Sequence, residues 1–273
     1  MQYQYIQVSD EPISDLAVVR TIHLNRPDVH NAFNDDMIAE LQSAFKDLET
    51  RDEIRAVIIA ASGNSFCAGA DLNWMKRMVD YSFEENKADA LALAEMLKSI
   101  CECPKPVIAR IQGNAFGGGV GLLSACDMTV AISDANFALT EVKLGLIPAV
   151  ISPFVLRRMS VNDAQRYFLT GERFNAEQAQ RFGLLQEAVL DEVAMDDWIK
   201  SRIEAIVSNG PEAVTQAKRL IHQVLETQWP RVLDITSTMI AERRASIEGQ
   251  EGMRAFLEKR KPSWVVSQGA SKP

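Results

Sequence analysis

"IQGNAFGGGVGLLSACD", residues 111–127, places three consecutive glycines where an apolar strand-like run gives way to an apolar helix-like run. Glycine weakens both kinds of element by raising the entropy lost on folding. A chain that accepts that weakness uses the bare backbone for something. Amides at a helix start have no intrahelical partner and sit at the positive end of the dipole, so they favour negative charge. Without a Cβ, another group can also approach them closely. A tight turn that only packs closely is the alternative at this stretch. The spacing is not GxGxxG, no acidic residue follows a second strand at the required distance, and GK[ST] is missing, which excludes a P-loop.

Working outward, AVVRTIHLN (17–25) and AVIIAAS (56–62) read as buried strands. Between them, Asn34 can cap a helix with Ile38, Leu41, Phe45 and Leu48 at helical spacing. A second unit follows: helical ENKADALALAEMLKSI (85–100), Pro104 and Pro106 as punctuation, and strand PVIARI running into the glycines. MTVAIS (128–133) and ANFALT (135–140) add strands. This is an α/β chain in which parallel pairing is expected.

From about Pro153 the pattern turns helical: NDAQRYFLTG, AEQAQRFG, a short LLQEAVL strand, then runs at 191–208, 211–226 and 230–246. Val214, Ala217, Leu220, Ile221 and Val224, then Val232, Ile235, Met239 and Ile240, form stripes broader than a tail folded alone needs. These should pack on the first region or on another subunit. There is no repeat of fixed period, and VVSQGASKP (265–273) reads as a frayed end.

The 273 residues are 47% hydrophobic and 24% charged, which suits a globular chain with one sizeable core. No apolar run nears the roughly 20 residues that span a bilayer. MQYQYIQVSDEP lacks the layout of a secretory or transit segment, so a cytoplasmic location is expected. Four cysteines without a CxxC pair and only three histidines give no zinc spacing and suggest reduced thiols. A net charge of −8 argues against broad nucleic-acid binding. An anionic ligand must be held by local groups.

SGNSFCAGADLNWM (62–75) is a second small-residue turn after a strand and before a helix-like run opening at Asp71. Two such turns can aim two amides at one point outside the strand ends, as an oxyanion hole does. Glu141, just past a strand and flanked by Leu139, Val142, Leu144 and Leu146, should have its charged form disfavoured by desolvation, which suits acid/base work. A helix-start acid or a partner for Lys143 is the plainer role for it. His23, His30 and His222 read as structural, Cys67 as a small core thiol, and Trp198 and Trp229 as packing residues.

Taken together, LNRPDVHNAFN (24–34), FCAGADLNWM (66–75), GNAFGGG (113–119), EVKLGLIP (141–148) and EGMRAFLEKRKPSW (251–264) resemble the enoyl-CoA hydratase/isomerase, or crotonase, family over nearly the whole chain. The resemblance implies a spiral of ββα units over 1–200 and a helical oligomerisation region over 201–273, building trimers or paired trimers. It implies that the amides of Ala70 and Gly118 hold the thioester carbonyl of an acyl-CoA. It further implies that Ala68, Asp71, Leu72 and Asn73 line the CoA path, that Val29 borders it, and that a basic residue near Lys259 or Lys261, often from a neighbour, meets the phosphates. CoA belongs to the substrate; no metal or other cofactor is implied.

Two departures matter. Family hydratases carry two glutamates; the second matches Glu141, but the place of the first is Gly121. One acid suffices for isomerases that shift a double bond, whereas adding water uses a pair more readily. After the proline, PAVISPFVLRR replaces the usual glycine-rich segment and TQRL, and with FCAGADLNWM it resembles bacterial 3-methylglutaconyl-CoA hydratases of leucine degradation and the related isohexenylglutaconyl-CoA hydratases. The reading is a hydro-lyase in which a substrate carboxylate uses space opened by Gly121 beside Glu141. An enoyl-CoA isomerase, a generic short-chain hydratase and an acyl-CoA binder are the alternatives. Arg157 and Arg158 could reach the substrate carboxylate or only the protein surface.

Overall fold

Strand β3 (Ile54–Ala61, IRAVIIAA) is buried along nearly its whole length, as a parallel strand covered on both faces must be. The computed structural model, which describes residues 3–265, sets it inside a six-stranded sheet. The order there is β1 (Ile6–Ser14), β2 (Ala17–Leu24), β3, β5 (Val107–Ile111), β7 (Met128–Ile132), β10 (Glu187–Val189). All neighbours pair in parallel except β1 and β2. Strand β1 was not expected from its polar sequence; pairing with β2 along its length makes it a strand, though only Ile6 is buried.

A second sheet has four short strands in the order β4 (Ser65–Cys67), β6 (Asn114–Phe116), β8 (Asn136–Ala138), β9 (Phe174–Asn175). The first three pair in parallel and β9 runs against β8. Thus β3–β4, β5–β6 and β7–β8 repeat one move: a long strand in the large sheet, then a short one in the small sheet. These are the expected ββα turns, built on unequal spacings that no sequence period reveals.

Helix α1 (Asp35–Asp47) starts where Asn34 accepts the amide of Met37, and buries Ile38, Leu41 and Phe45. Helix α2 (Leu72–Met78) is followed by α3 (Phe83–Cys101), which opens on a Ser82–Glu85 capping box. Helix α4 (Gly118–Ala125) follows the glycines, and α5 (Ser152–Val155), α6 (Val161–Thr170) and α7 (Ala176–Arg181) continue the chain.

Helix α8 (Glu192–Ser208) covers the other face of the large sheet, with Met195, Ile199, Ile203 and Ile206 against Val19, Ala56, Ile108 and Val130. A division after residue 200 therefore cuts one continuous core, and the first region runs to the end of α8.

Helices α9 (Pro211–Glu226), α10 (Arg231–Ala245) and α11 (Ile247–Leu257) form the tail. None of α9 is buried, Leu225 stands 73% exposed, and α10 buries only Val232. The stripes seen in the sequence are thus covered only in part within one chain: Val232 is buried and Val214 packs against the α8 core, whereas Ile221, Val224 and Ile240 stay exposed. Trp229, expected as a packing residue, is exposed, whereas Trp198 is half-buried against the α8 core. Apart from Val265, the end expected to fray lies outside the described residues.

Candidate active site

Because β4, β6 and β8 are parallel neighbours, the turns leaving their C-terminal ends lie side by side. That edge is where open parallel sheets place ligands. Ala70 follows β4, Gly118 follows β6 and Glu141 follows β8, so the middle turn touches both others. A Cβ built on Gly69 would lie 3.5 Å from the amide nitrogen of Gly118, and one on Gly117 would lie 3.3 Å from Glu141 Oε1.

Each glycine of the run has its own reason. Gly117 sits at φ +50°, in the left-handed region, and presents its bare Cα to the Glu141 carboxyl. A Cβ on Gly118 would come within 3.2 Å of the Phe33 ring, and one on Gly119 within 2.3 Å of the Cys67 carbonyl oxygen. Gly119 lets α4 lie directly on β4.

The amide of Gly118 belongs to the first turn of α4 and has no intrahelical partner. Gly117 is tied to β8 by its own amide, which donates to Ala138 at 2.9 Å. The Ala70 amide is directed differently. Phe33 N donates to Gly69 O at 2.7 Å and Asp71 N donates to Phe33 O at 2.8 Å, a one-residue parallel bridge between Phe33 and Ala70. In such a bridge the N–H of residue 70 faces away from its partner. Ala70 is exposed.

Glu141 opens a short 3-10 helix, Glu141–Leu144, and its Oε2 is buried with no hydrogen-bond partner. Burial pushes its pKa above the ordinary 4.5, and its own main-chain amide works the other way. Two free amides and a buried, unpartnered carboxyl oxygen thus share one edge. The arrangement suits enolate formation on a bound carbonyl compound.

The sequence profile of the enoyl-CoA hydratase/isomerase family matches residues 15–267. The chain belongs to the enoyl-CoA hydratase/isomerase family. Among solved structures, an enoyl-CoA hydratase from Shewanella pealeana is 39% identical, covers 96% of this chain and 97% of its own, and superposes with a TM-score of 0.90. Among the curated relatives, a crotonyl-CoA hydratase from Syntrophomonas wolfei is 32% identical over 97% of this chain and 99% of its own. A short-chain-enoyl-CoA hydratase from Clostridium acetobutylicum is 32% identical over 89% and 92%. The crotonase-type architecture expected above is the one observed.

Within that family frame, Gly121 needs correcting. A Cβ there would lie 2.2 Å from Ile151 Cγ2 and 3.5 Å from Leu97 Cδ1. Ile151, only 2% exposed, already fills the space, so Gly121 opens no pocket for a substrate carboxylate. An aliphatic side chain from the PAVISP segment has replaced the acid.

Of the residues expected along the CoA path, Leu72, Asn73 and Val29 are exposed and Ala68 is half-buried, its amide donating to His30 O at 3.0 Å. Asp71 is corrected: its carboxylate is buried and committed to the amides of Asn73 and Trp74 and to Arg26, so it offers nothing to a ligand. Lys261 is exposed beyond α11, whose packing partners are α9 and α10. Arg157 pairs with Glu226 on the surface at 2.6 Å. Arg158 turns inward and donates to the carbonyls of Ser124 and Cys126, closing the C-terminal end of α4.

Cys67 is buried and its thiol is pushed up to about 12, in keeping with an inert core role. Among the described residues, no group of three or more His, Cys, Asp or Glu could hold a metal, and no helix is long and apolar enough to cross a membrane. Phe33 and Ile151, absent from the sequence reading of the site, complete it together with Arg26, whose loop was expected beside the ligand but whose pairing with Asp71 was not. No local signal marks them, since each acts on a residue distant in the chain.

Proposed function

We propose that this chain adds water across the double bond of a short enoyl-CoA, with Glu141 as its single acid/base. The observation that carries this reading is the Glu141 carboxyl seated against Gly117, one residue from the free Gly118 amide, with a buried unpartnered oxygen. Hydratase names among the relatives agree with it.

In the proposed step, the thioester oxygen lies between the Ala70 and Gly118 amides. Ionised Glu141 takes a proton from a water whose oxygen bonds to Cβ, and the double-bond electrons move to the carbonyl oxygen as an enolate. The enolate re-forms the carbonyl as Cα takes that proton back from Glu141. One carboxylate closes the cycle if water and proton arrive on the same face. A raised pKa suits a group that must act first as base and then as acid.

The finer reading is 3-methylglutaconyl-CoA as substrate, supported by the wording of PAVISPFVLRR and FCAGADLNWM. With Ile151 beneath α4, the distal carboxylate of that substrate lies elsewhere than at Gly121. We also propose that further copies of this chain cover α9 and α10 and supply Lys261 to the CoA phosphates. The missing second acid favours one other reading, a double-bond isomerase, which the same assay separates.

Purified protein is offered 3-methylglutaconyl-CoA, crotonyl-CoA and a 3-enoyl-CoA, and thioester absorbance is followed. Hydration of 3-methylglutaconyl-CoA is expected to be fastest, and Glu141→Gln to lower it by about 10²- to 10⁴-fold. The acidic limb of kcat/KM should lie above 4.5, because the base form is lost as pH falls through a pKa that burial has raised. Turnover of the 3-enoyl-CoA alone, or an unimpaired Glu141→Gln, would refute hydration by Glu141.

A further inference from the structure

Ala70 lies before the Asp71 cap of α2 and is not itself part of that helix, and a bridge of one residue pair with Phe33 is a slight restraint. Arg26 supplies the rest. Its Nη2 donates to Asp71 Oδ2 at 2.7 Å, and its Nη1 donates to the Ala32 carbonyl. Asp71 and Ala32 flank the two members of the bridge, Ala70 and Phe33, so one guanidinium spans both strands. The ion pair is shielded, with the side chains of Arg26 and Asp71 exposed by 14% and 6%.

Both ends of this clamp are anchored. Asp71 Oδ1 accepts the amides of Asn73 at 2.7 Å and Trp74 at 3.3 Å, which locks the turn to the start of α2. The main-chain amide of Arg26 donates to Asn31 Oδ1 at 2.8 Å, and Asn31 Nδ2 donates to Ser62 O and Ser65 O, each at 2.8 Å. The guanidinium also lies over the Tyr5 ring, 5.0 Å from its centroid. A planar fork already held on three sides loses little freedom per bond, which a lysine could not match.

We propose that Arg26 and Asp71 are positioning residues for the reaction: their ion pair clamps the Phe33–Ala70 bridge so that the Ala70 amide points at the thioester oxygen. This rests on the reading above that Ala70 receives that oxygen. Neither side chain touches substrate. Their effect should therefore appear in turnover and not in the affinity for CoA, which carries no acyl oxygen.

The test uses Asp71→Asn, which keeps the α2 cap and removes the charge, and Arg26→Lys, which keeps the charge and removes the fork. Asp10→Asn is the control, because it weakens the ion pair of Asp10 on β1 with the buried Arg20 on β2 (2.7 Å), away from the site. Each site variant should lower kcat by about 10- to 100-fold, somewhat less than outright loss of one oxyanion donor. The double variant should be no worse than the worse single one. The Kd for CoA should stay within about twofold, and Asp10→Asn should keep its kcat while losing thermal stability. A kcat within twofold of the parent in Asp71→Asn would overturn the proposal. So would a Kd for CoA that weakens in step with kcat, or an equal kcat loss in the control. If Glu141→Gln abolishes turnover while Asp71→Asn does not change it, only the clamp is wrong; if Glu141→Gln is unimpaired, the site assignment itself fails.

Discussion

The two turns that meet at the candidate site hold their amides by opposite means. Gly118 is aimed by its own helix: the glycines, the α4 start and the bond from Gly117 to Ala138 fix its direction almost locally. Ala70 is aimed by residues far away in the chain, Phe33 through the main-chain bridge and Arg26 through Asp71. The first arrangement depends on side chains being absent, the second on side chains being present. Damage should follow that division: added atoms hurt the helix side, and lost charge hurts the loop side.

The largest effect is expected from Gly119→Ala. Its Cβ would meet the Cys67 carbonyl oxygen at 2.3 Å, backbone against backbone, so α4 must lift from β4. A loss of more than about 2 kcal/mol is expected in urea unfolding. A parent-like midpoint would show that the helix side tolerates added atoms, and the contrast would fall.

A sharper probe is the space shared by Gly121 and Ile151. Gly121→Ala should destabilise through the 2.2 Å contact with Ile151, and Ile151→Ala should cost about 2–4 kcal/mol through the void it leaves. Combined, each relieves the other, and the pair should recover at least about 1 kcal/mol against the sum. Strict additivity would mean that the two residues do not share one volume, and the space beside α4 would again be free for a substrate group.

The smallest effect belongs to the loop side and depends on pH. Burial works to raise the Asp71 pKa, but Arg26 and the amides of Asn73 and Trp74 outweigh it, leaving the net value below the ordinary 3.8. A carboxyl with a depressed folded pKa contributes stability above its unfolded value and loses it as pH falls through the folded one. Parent protein should therefore lose an increment of stability below about pH 4 that Asp71→Asn lacks. Identical acid profiles for the two would remove Asp71 from the account of the loop.

Much of this was readable in the chain. The strands at 17–25 and 56–62, the Asn34 cap and the glycine turn all obey local rules of periodicity and capping, and they appear as β2, β3, α1 and the start of α4. Glu141 was legible because a carboxylate among leucines and valines is chemically conspicuous. Strand β1 was not, since a polar segment becomes a strand only by pairing with β2. The boundary at 200 failed because helical periodicity shows that α8 has an apolar side but not what lies against it. Gly121 misled because a missing side chain does not say whether a neighbour has taken its room.

By itself, the amino-acid sequence determined that this is an α/β chain with two glycine-bearing turns, one conspicuous acid and an amphipathic helical tail, because strand period, capping and burial preference act over a few residues. Only the tertiary structure decided that β4, β6 and β8 lie side by side, and with them Ala70, Gly118 and Glu141. It also decided that Ile151 fills the space at Gly121 and that Arg26 braces Asp71. These are contacts between distant segments, set by sheet order and close packing, and no local pattern encodes which distant side chain will arrive.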